Sequence, residues 1–240
     1  MNIKFAFLIP YYNHPNTIAN LCNYLRQYNI DIIIVDDGSD QNSKNALKNL
    51  NAYILTRSQN GGKGAAIKSG LALAKEKNYT HIFQIDADMQ HELSKISEIL
   101  NLAKQNPNSL ICANPIYGDD APKSRLYGRK ITSFWVYINT LGGDIKDTMC
   151  GMRVYPLNLI YPLLTQCKSD RMDFDIDILL LAHKAGICFK WCDVAVKYDG
   201  GISHFKALRD NLLISKMHAR HFFNLPKFIF NRYFKKVKNG

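Results

Sequence analysis

No run of about eighteen consecutive apolar residues occurs in this 240-residue chain, and a helix that crosses a bilayer needs such a run. The N-terminus enters an apolar run, Ile3 to Ile9, without the pattern of a secretion signal. Both absences predict a cytosolic protein. Cys-x-x-Cys is also missing: Cys22, Cys112, Cys150, Cys167, Cys188 and Cys192 are scattered, which argues against a zinc ribbon or redox dithiol and for reduced, structural thiols. Gly-x-Gly-x-x-Gly does not occur, and the cluster Asn60-Gly61-Gly62-Lys63-Gly64 lacks the Ser or Thr that follows Lys in a phosphate-binding P-loop. Kinase-like and nicotinamide-binding chemistry are disfavoured accordingly. There is no internal repeat and no low-complexity linker. Acidic residues are scarce at the C-terminal end, where nine Lys and Arg from Lys206 onward face Asp210 alone. That leaves +8 of the chain's formal +11 in its last 35 residues, with the body nearly balanced.

A hydrophobic content of 47% with 21% charged residues is ordinary for one globular domain with a tail. Ile3 to Ile9 and Asp31 to Val35 read as buried strands, Tyr53 to Leu55 as a short one, and His81 to Ile85 as another. Between them lie helical stretches at Asn16 to Tyr28, with Ile18, Leu21, Leu25 and Tyr28 on one face, near Asn42 to Leu50, and from the glycine cluster to about Lys75. Strand, turn and helix alternate, which predicts an α/β fold with a mostly parallel sheet covered on both faces. Ligands in such sheets sit at the carboxyl ends of the strands. Tyr11-Tyr12-Asn13, Asp36-Asp37-Gly38-Ser39, Asn60 to Gly64 and Asp86 to Gln90 all fall at those ends and are expected to converge on one rim. The second half is less regular. Lys123 to Thr140 reads as an aromatic helix, Asp147 to Arg153 as a loop entering a strand, Asp173 to Ala185 as an acidic-started helix, Phe189 to Val196 as a strand, and Arg209 to Phe223 as a helix.

Three groups of residues suit chemistry. In an extended chain, residues i, i+2 and i+4 point to one side, so Asp86, Asp88 and Gln90 would present three hard oxygen ligands to Mg²⁺ or Mn²⁺ bridging a diphosphate. A lone Asp-x-Asp is as readily a solvated turn or a helix start. Asp36 and Asp37 are placed to accept hydrogen bonds from a base imide or ribose hydroxyls, or to form a plain Asp-Gly turn. Lys63 puts a cation at a helix N-terminus, where an anion is favoured.

Taken in order, Ile9-Pro10-Tyr11-Tyr12-Asn13, Val35-Asp36-Asp37-Gly38-Ser39, Asn60-Gly61-Gly62-Lys63-Gly64 and Asp86-Ala87-Asp88-Met89-Gln90-His91 resemble family 2 glycosyltransferases, and among them the polyprenyl-phosphate sugar synthases. The resemblance covers about residues 3 to 205 and is most specific over the first 120. It implies a GT-A fold at 1–205, with a nucleotide-sugar half at 1–120 and an acceptor half at 121–205, followed by a basic aromatic helix and tail at 206–240. It implies that Pro10, Tyr12, Asp36 and Asp37 line the nucleotide pocket with Lys63 near it. Asp88 would be the direct metal ligand, Asp86 would lie nearer the ribose, and Gln90 would add a ligand. Asp175, with Asp173 as second choice, matches the segment where the family places an acceptor base. The alternative there is an acidic helix start stabilised by the helix dipole. Gly151 and Arg153 resemble a stretch near the sugar or acceptor, and His204 stands where lysine is usual, as a metal ligand or diphosphate contact. The implied reaction is inverting transfer of a hexosyl group from a UDP- or GDP-sugar to a lipid-linked or polysaccharide acceptor. An acceptor that is already a phosphate needs no base.

The tail mixes bulky apolar residues with cations, a composition that suits an anionic membrane surface on the cytoplasmic side. Packing on the body or on a second subunit is the alternative, and single-stranded nucleic acid is the rival ligand, unsupported by any recognisable nucleic-acid module in the body. A non-catalytic scaffold or membrane adaptor on the same fold is the competing function.

Overall fold

The computed structural model describes residues 3–118, 123–143, 145–197 and 205–230. In chain order these form β1 (Phe5–Tyr11), α1 (Ile18–Leu25), β2 (Asp31–Asp36), α2 (Gln41–Asn45), β3 (Tyr53–Thr56), α3 (Lys63–Glu76), β4 (His81–Gln84) and α4 (Ile96–Gln105). They continue with β5 (Ser109–Tyr117), α5 (Lys123–Asn139), β6 (Arg153–Pro156), α6 (Leu157–Ile160), α7 (Phe174–Lys184), β7 (Cys188–Val196) and α8 (Ala207–Phe223). The strands make one seven-stranded sheet in the order β3-β2-β1-β4-β6-β5-β7. β1 to β4 run parallel, and β6 is antiparallel to both β4 and β5. A mostly parallel sheet is therefore present, with one reversed strand that the alternation did not announce.

The central strands are apolar on both sides because both faces are covered. Along β1, Phe7 and Ile9 turn to one face, where Ile18, Leu21 and Leu25 of α1 and Ile96, Ile99 and Leu100 of α4 meet them. Ala6 and Leu8 turn to the other, against Ala66, Ile67 and Leu71 of α3 and Phe174, Ile178 and Leu179 of α7. A third cluster, Val136, Ile176, Leu180, Ile214 and Met217, joins α5, α7 and α8. The helix that opens the basic tail thus packs on the body, while 231–240 lie outside the described residues.

Register sets the rim. Pro10 and Tyr11 stand opposite Val35 and Asp36, and Asp36 stands opposite Thr56. The loops after β1, β2 and β3 therefore leave the sheet at one level, beside the start of α3.

Candidate functional site

A cavity of about 830 Å³ opens over this rim. Its walls carry Pro10, Tyr12, Asp37, Lys63, Asp86, Asp88 and Gln90 from the strand ends. Arg129 and Thr132 of α5, and Lys206, Arg209 and Ile214 at and within α8, close the far side. Four of the segments expected to converge from the sequence do meet here.

Asp37 organises the glycine loop rather than projecting alone into space. Its Oδ1 accepts from Arg57 Nε at 2.7 Å and Gly61 N at 3.0 Å, and its Oδ2 accepts from Gly62 N at 2.7 Å. Gly62 has φ +104, and a Cβ there would come within 2.6 Å of the Asp170 carbonyl oxygen, so glycine is required where this loop turns into α3. Asp36 is fully buried behind the cavity wall. Its Oδ1 accepts from Ser39 N at 3.0 Å, and its Oδ2 has no hydrogen-bond partner among the described residues. Tyr11, next to Tyr12, donates to the Ser43 carbonyl at 2.9 Å and so fixes the entry to the pocket.

At the heart of the site four charges alternate. Lys63 Nζ lies 2.8 Å from Asp86 Oδ1 and 2.9 Å from Asp175 Oδ2. Asp175 in turn is 3.3 Å from Arg153 Nη1, and Arg153 also donates to the carbonyls of Asp175 at 2.7 Å and Thr148 at 2.6 Å. Burial alone would lower the Lys63 pKa, but Asp175 and Asp86 outweigh it and hold the ammonium above the ordinary lysine range. Burial likewise opposes the Asp86 charge, and Lys63, His91 and Arg153 keep its pKa below the usual carboxylate value. Asp175 is 4% exposed and takes no part in the cavity wall, and Arg153 is 1% exposed. Asp173 sits at the N-cap of α7, where its Oδ1 accepts from Arg171 N at 3.2 Å. His204 lies outside the described residues.

The extended alternation expected for Asp86, Asp88 and Gln90 is not what forms. β4 ends at Gln84, Ala87 and Asp88 make a turn, and Met89 takes φ +59, a conformation uncommon outside glycine. The turn is pinned by Thr17 Oγ1, which donates to the Ala87 carbonyl at 2.6 Å, and by Gln90 N, which donates to Asp88 Oδ1 at 3.1 Å. Beyond it, His91 bridges to Val196 at the end of β7. His91 Nε2 lies 3.1 Å from Cys150 Sγ, and its Nδ1 is buried with no hydrogen-bond partner among the described residues. Against the burial that would lower it, Cys150, Asp86 and Asp88 bring the His91 pKa up to about 9.

Among the described residues no three His, Cys, Asp or Glu side chains are grouped to cage a cation. An ion that arrives on a diphosphate needs only one or two carboxylates besides the phosphate oxygens and water. Asp88 fits that lesser demand: it lines the cavity and forms no salt bridge among the described residues. Asp86 is already neutralised by Lys63.

Several wall residues escaped the sequence. Arg171 reaches Asn60 Oδ1 at 3.2 Å across 111 positions, and Arg129 pairs with Asp147. No local spacing signals either. The glycine of Cys150-Gly151-Met152-Arg153 is explained by contact: a Cβ on Gly151 would lie 2.1 Å from Asp86 Oδ2.

Residues 6–160 match the sequence model of Glycosyl transferase family 2. A dolichyl-phosphate beta-glucosyltransferase of Dictyostelium discoideum is 26% identical over 212 residues, which take in 78% of this chain and 64% of that protein. A UDP-N-acetylglucosamine–dolichyl-phosphate N-acetylglucosaminyltransferase of Methanococcus voltae is 28% identical over 200 residues, 74% of this chain and 79% of that one. The fold is shared with the crystal structure of glucosyl-3-phosphoglycerate synthase from Mycobacterium tuberculosis in complex with Mn²⁺ and UDP-glucose. That structure superposes with a TM-score of 0.67 at 14% identity and covers 95% of this chain and 79% of its own.

Proposed function

The chain belongs to Glycosyl transferase family 2, and from that premise we propose that it moves a hexosyl group from a nucleotide-diphosphate sugar to a lipid-linked phosphate at a membrane surface. The acceptor oxygen attacks the anomeric carbon, the bond from that carbon to the diphosphate breaks, and the nucleoside diphosphate leaves with the electron pair. Configuration at that carbon inverts. An acceptor phosphate is ionised already, so no side chain has to take a proton. That suits Asp175, whose carboxylate is committed to Lys63 and Arg153. We assign it a positioning role, while Asp173, at the N-cap position of the same helix, accepts from Arg171 N in the preceding loop.

The chain's own residues would supply a nucleotide pocket from Pro10, Tyr12 and Asp37, with a fixed charge pattern beneath it; Asp36, buried behind the wall, does not reach it as the resemblance implied. A divalent ion, Mg²⁺ or Mn²⁺, on Asp88 with support from Gln90 and the Asp86 side would stabilise the leaving diphosphate as a Lewis acid. The names of the Dictyostelium and Methanococcus relatives support a polyprenyl phosphate acceptor and, for the latter, a UDP-sugar. The observation that carries this reading is Asp88, which forms no salt bridge among the described residues, on the same cavity wall as Asp37, Lys63 and Asp86.

In the test, Asp88→Asn is compared with the parent for UDP-sugar and GDP-sugar hydrolysis with Mn²⁺ and with EDTA. Turnover should fall on the order of a hundredfold while the melting temperature stays put. Undiminished, metal-dependent turnover removes the assignment. One observation favours a second reading, a non-catalytic adaptor on the same fold: Lys63 occupies Asp86, where a second metal contact would come. Calorimetric titrations with UDP- and GDP-sugars plus Mn²⁺ that stay silent across the panel would support the adaptor.

A further inference from the structure

Exposed apolar side chains are normal when scattered and informative when gathered. Of the sixteen large apolar side chains exposed among the described residues, thirteen lie on 127–141 and 205–230. Nine of them lie on two helices, α5 and α8, and Leu141, Phe205, Ile229 and Phe230 lie just beyond their ends. On α5, Thr132, Val136 and Asn139 turn inward, and Tyr127, Ile131 and Phe134, each at least 60% exposed, turn outward at helical spacing. On α8, Asp210, Ile214, Met217 and His221 turn inward, and Leu208, Leu212 and Phe223, each at least 70% exposed, turn outward. Trp135 and Phe222 close the seam between the helices, edge to face at 6.3 Å. One continuous apolar ledge results.

Charge selects the occupant. Residues 123–141 contain four Lys and Arg and no acid, and 205–230 contain five with Asp210 as the sole acid. Asp210 is 1% exposed. Among the described residues the ledge therefore shows water aromatics, aliphatics and cations, including Lys130 and Lys216, and no carboxylate. A second copy of the same face would meet it with like charge. An anionic bilayer meets it with opposite charge and takes up the rings as well. The same two helices wall the far side of the cavity through Arg129 and Arg209, so a surface under the ledge lies beside the cavity mouth.

We propose that α5 and α8 together form a docking face for an anionic lipid bilayer, set so that an acceptor headgroup reaches the cavity from the membrane plane. The inference takes its meaning from the lipid-acceptor reading, and it is tested without it. The full chain is sedimented with vesicles of phosphatidylcholine and with vesicles of equimolar phosphatidylcholine and phosphatidylglycerol. Binding is expected to the anionic vesicles, weakening as salt rises. Phe134→Ser combined with Phe223→Ser, both surface changes, should lower vesicle affinity on the order of tenfold and leave UDP-sugar binding by calorimetry as in the parent. Three results overturn the proposal: no binding of the parent to anionic vesicles; equal binding by parent and double variant; or light scattering that shows a dimer which the double variant dissociates. Salt-sensitive binding to a single-stranded oligonucleotide with none to vesicles overturns it in favour of nucleic acid. A donor titration that fails while vesicle binding persists would refute the transferase reading alone.

Discussion

Gly151→Ala would add one methyl group where the site has no room for it. The Cβ would lie 2.1 Å from Asp86 Oδ2 and 2.4 Å from both its Cγ and its Oδ1, against a floor of 3.0 Å for real Cβ contacts. The carboxylate must retreat, and it is held by Lys63 at 2.8 and 3.0 Å. Overpacking of this kind costs about 1–3 kcal/mol. For a chain of this size a loss near 2 kcal/mol lowers the melting temperature by roughly 4–8 °C. The assay is a double-mutant cycle of Gly151→Ala and Asp86→Ala followed by urea unfolding. If the carboxylate is what the methyl meets, Gly151→Ala in the Asp86→Ala background should cost less than about 0.5 kcal/mol. A wild-type midpoint for Gly151→Ala, or the same cost in both backgrounds, refutes the contact argument.

Lys63→Met should destabilise by about 3–5 kcal/mol at pH 7, because Asp86 and Asp175 lose the ammonium between them. Part of that should return at pH 5, where Asp86, raised by burial once Lys63 is gone, takes up a proton; unfolding midpoints equal to the parent's would count against the network. Stability should also fall in mild acid through His218, whose pKa burial pushes down from 6.5 to about 4. A depressed histidine leaves stability whole above pH 6.5 and lost progressively down to pH 4, by roughly 3 kcal/mol. His221 is lowered too and acts in the same direction, while Asp177, drawn down by His221 and Arg220, keeps its charge across that window. His218→Asn should shrink the slope of unfolding free energy against pH, and an unaltered slope would exclude His218 as its source.

β1 and β2, buried on both faces, were legible in the sequence, as were the more exposed β3 and β7, whereas the buried β5 was not. β1 and β2 show up as nearly unbroken apolar runs because both their faces are covered, β4 only as Ile82-Phe83 between His81 and Gln84, and the rim follows once their ends are known. β6 was not legible as a reversed strand, since its register, Ile82 opposite Tyr155, joins residues 73 positions apart. α4 was not among the helices expected, although Ile96, Ile99, Leu100 and Ala103 stand at helical spacing there. The carboxylates were legible as residue types and not as geometry. Period-two alternation assumes extended backbone, and the turn at Ala87-Asp88 with Met89 at φ +59 replaces it. Nothing local in Lys63, Asp86, Asp175 or Arg153 says that they meet, because their contacts span up to 112 positions.

α7 shows why tertiary pairing decides such cases. On a helix, Asp173, Asp175 and Asp177 cannot share one direction, since successive even steps rotate by about 200°. Asp173 turns back to cap the loop at Arg171 N. Asp175 faces Lys63 and Arg153 under the cavity. Asp177 faces α8, where His221 Nε2 lies 2.6 Å away and Arg220 pairs with its other oxygen. The helix is buried nearly all round, so neither inner carboxylate can be left without a cation or hydrogen-bond partner at tolerable cost. Each therefore fixes a neighbour: Asp175 sets Lys63 at the strand-end side of the cavity, and Asp177 sets α8 at the opposite wall. Two carboxylates two residues apart on a single rigid helix thus fix the spacing between the charge network under the strand-end rim and the helix that carries the apolar ledge.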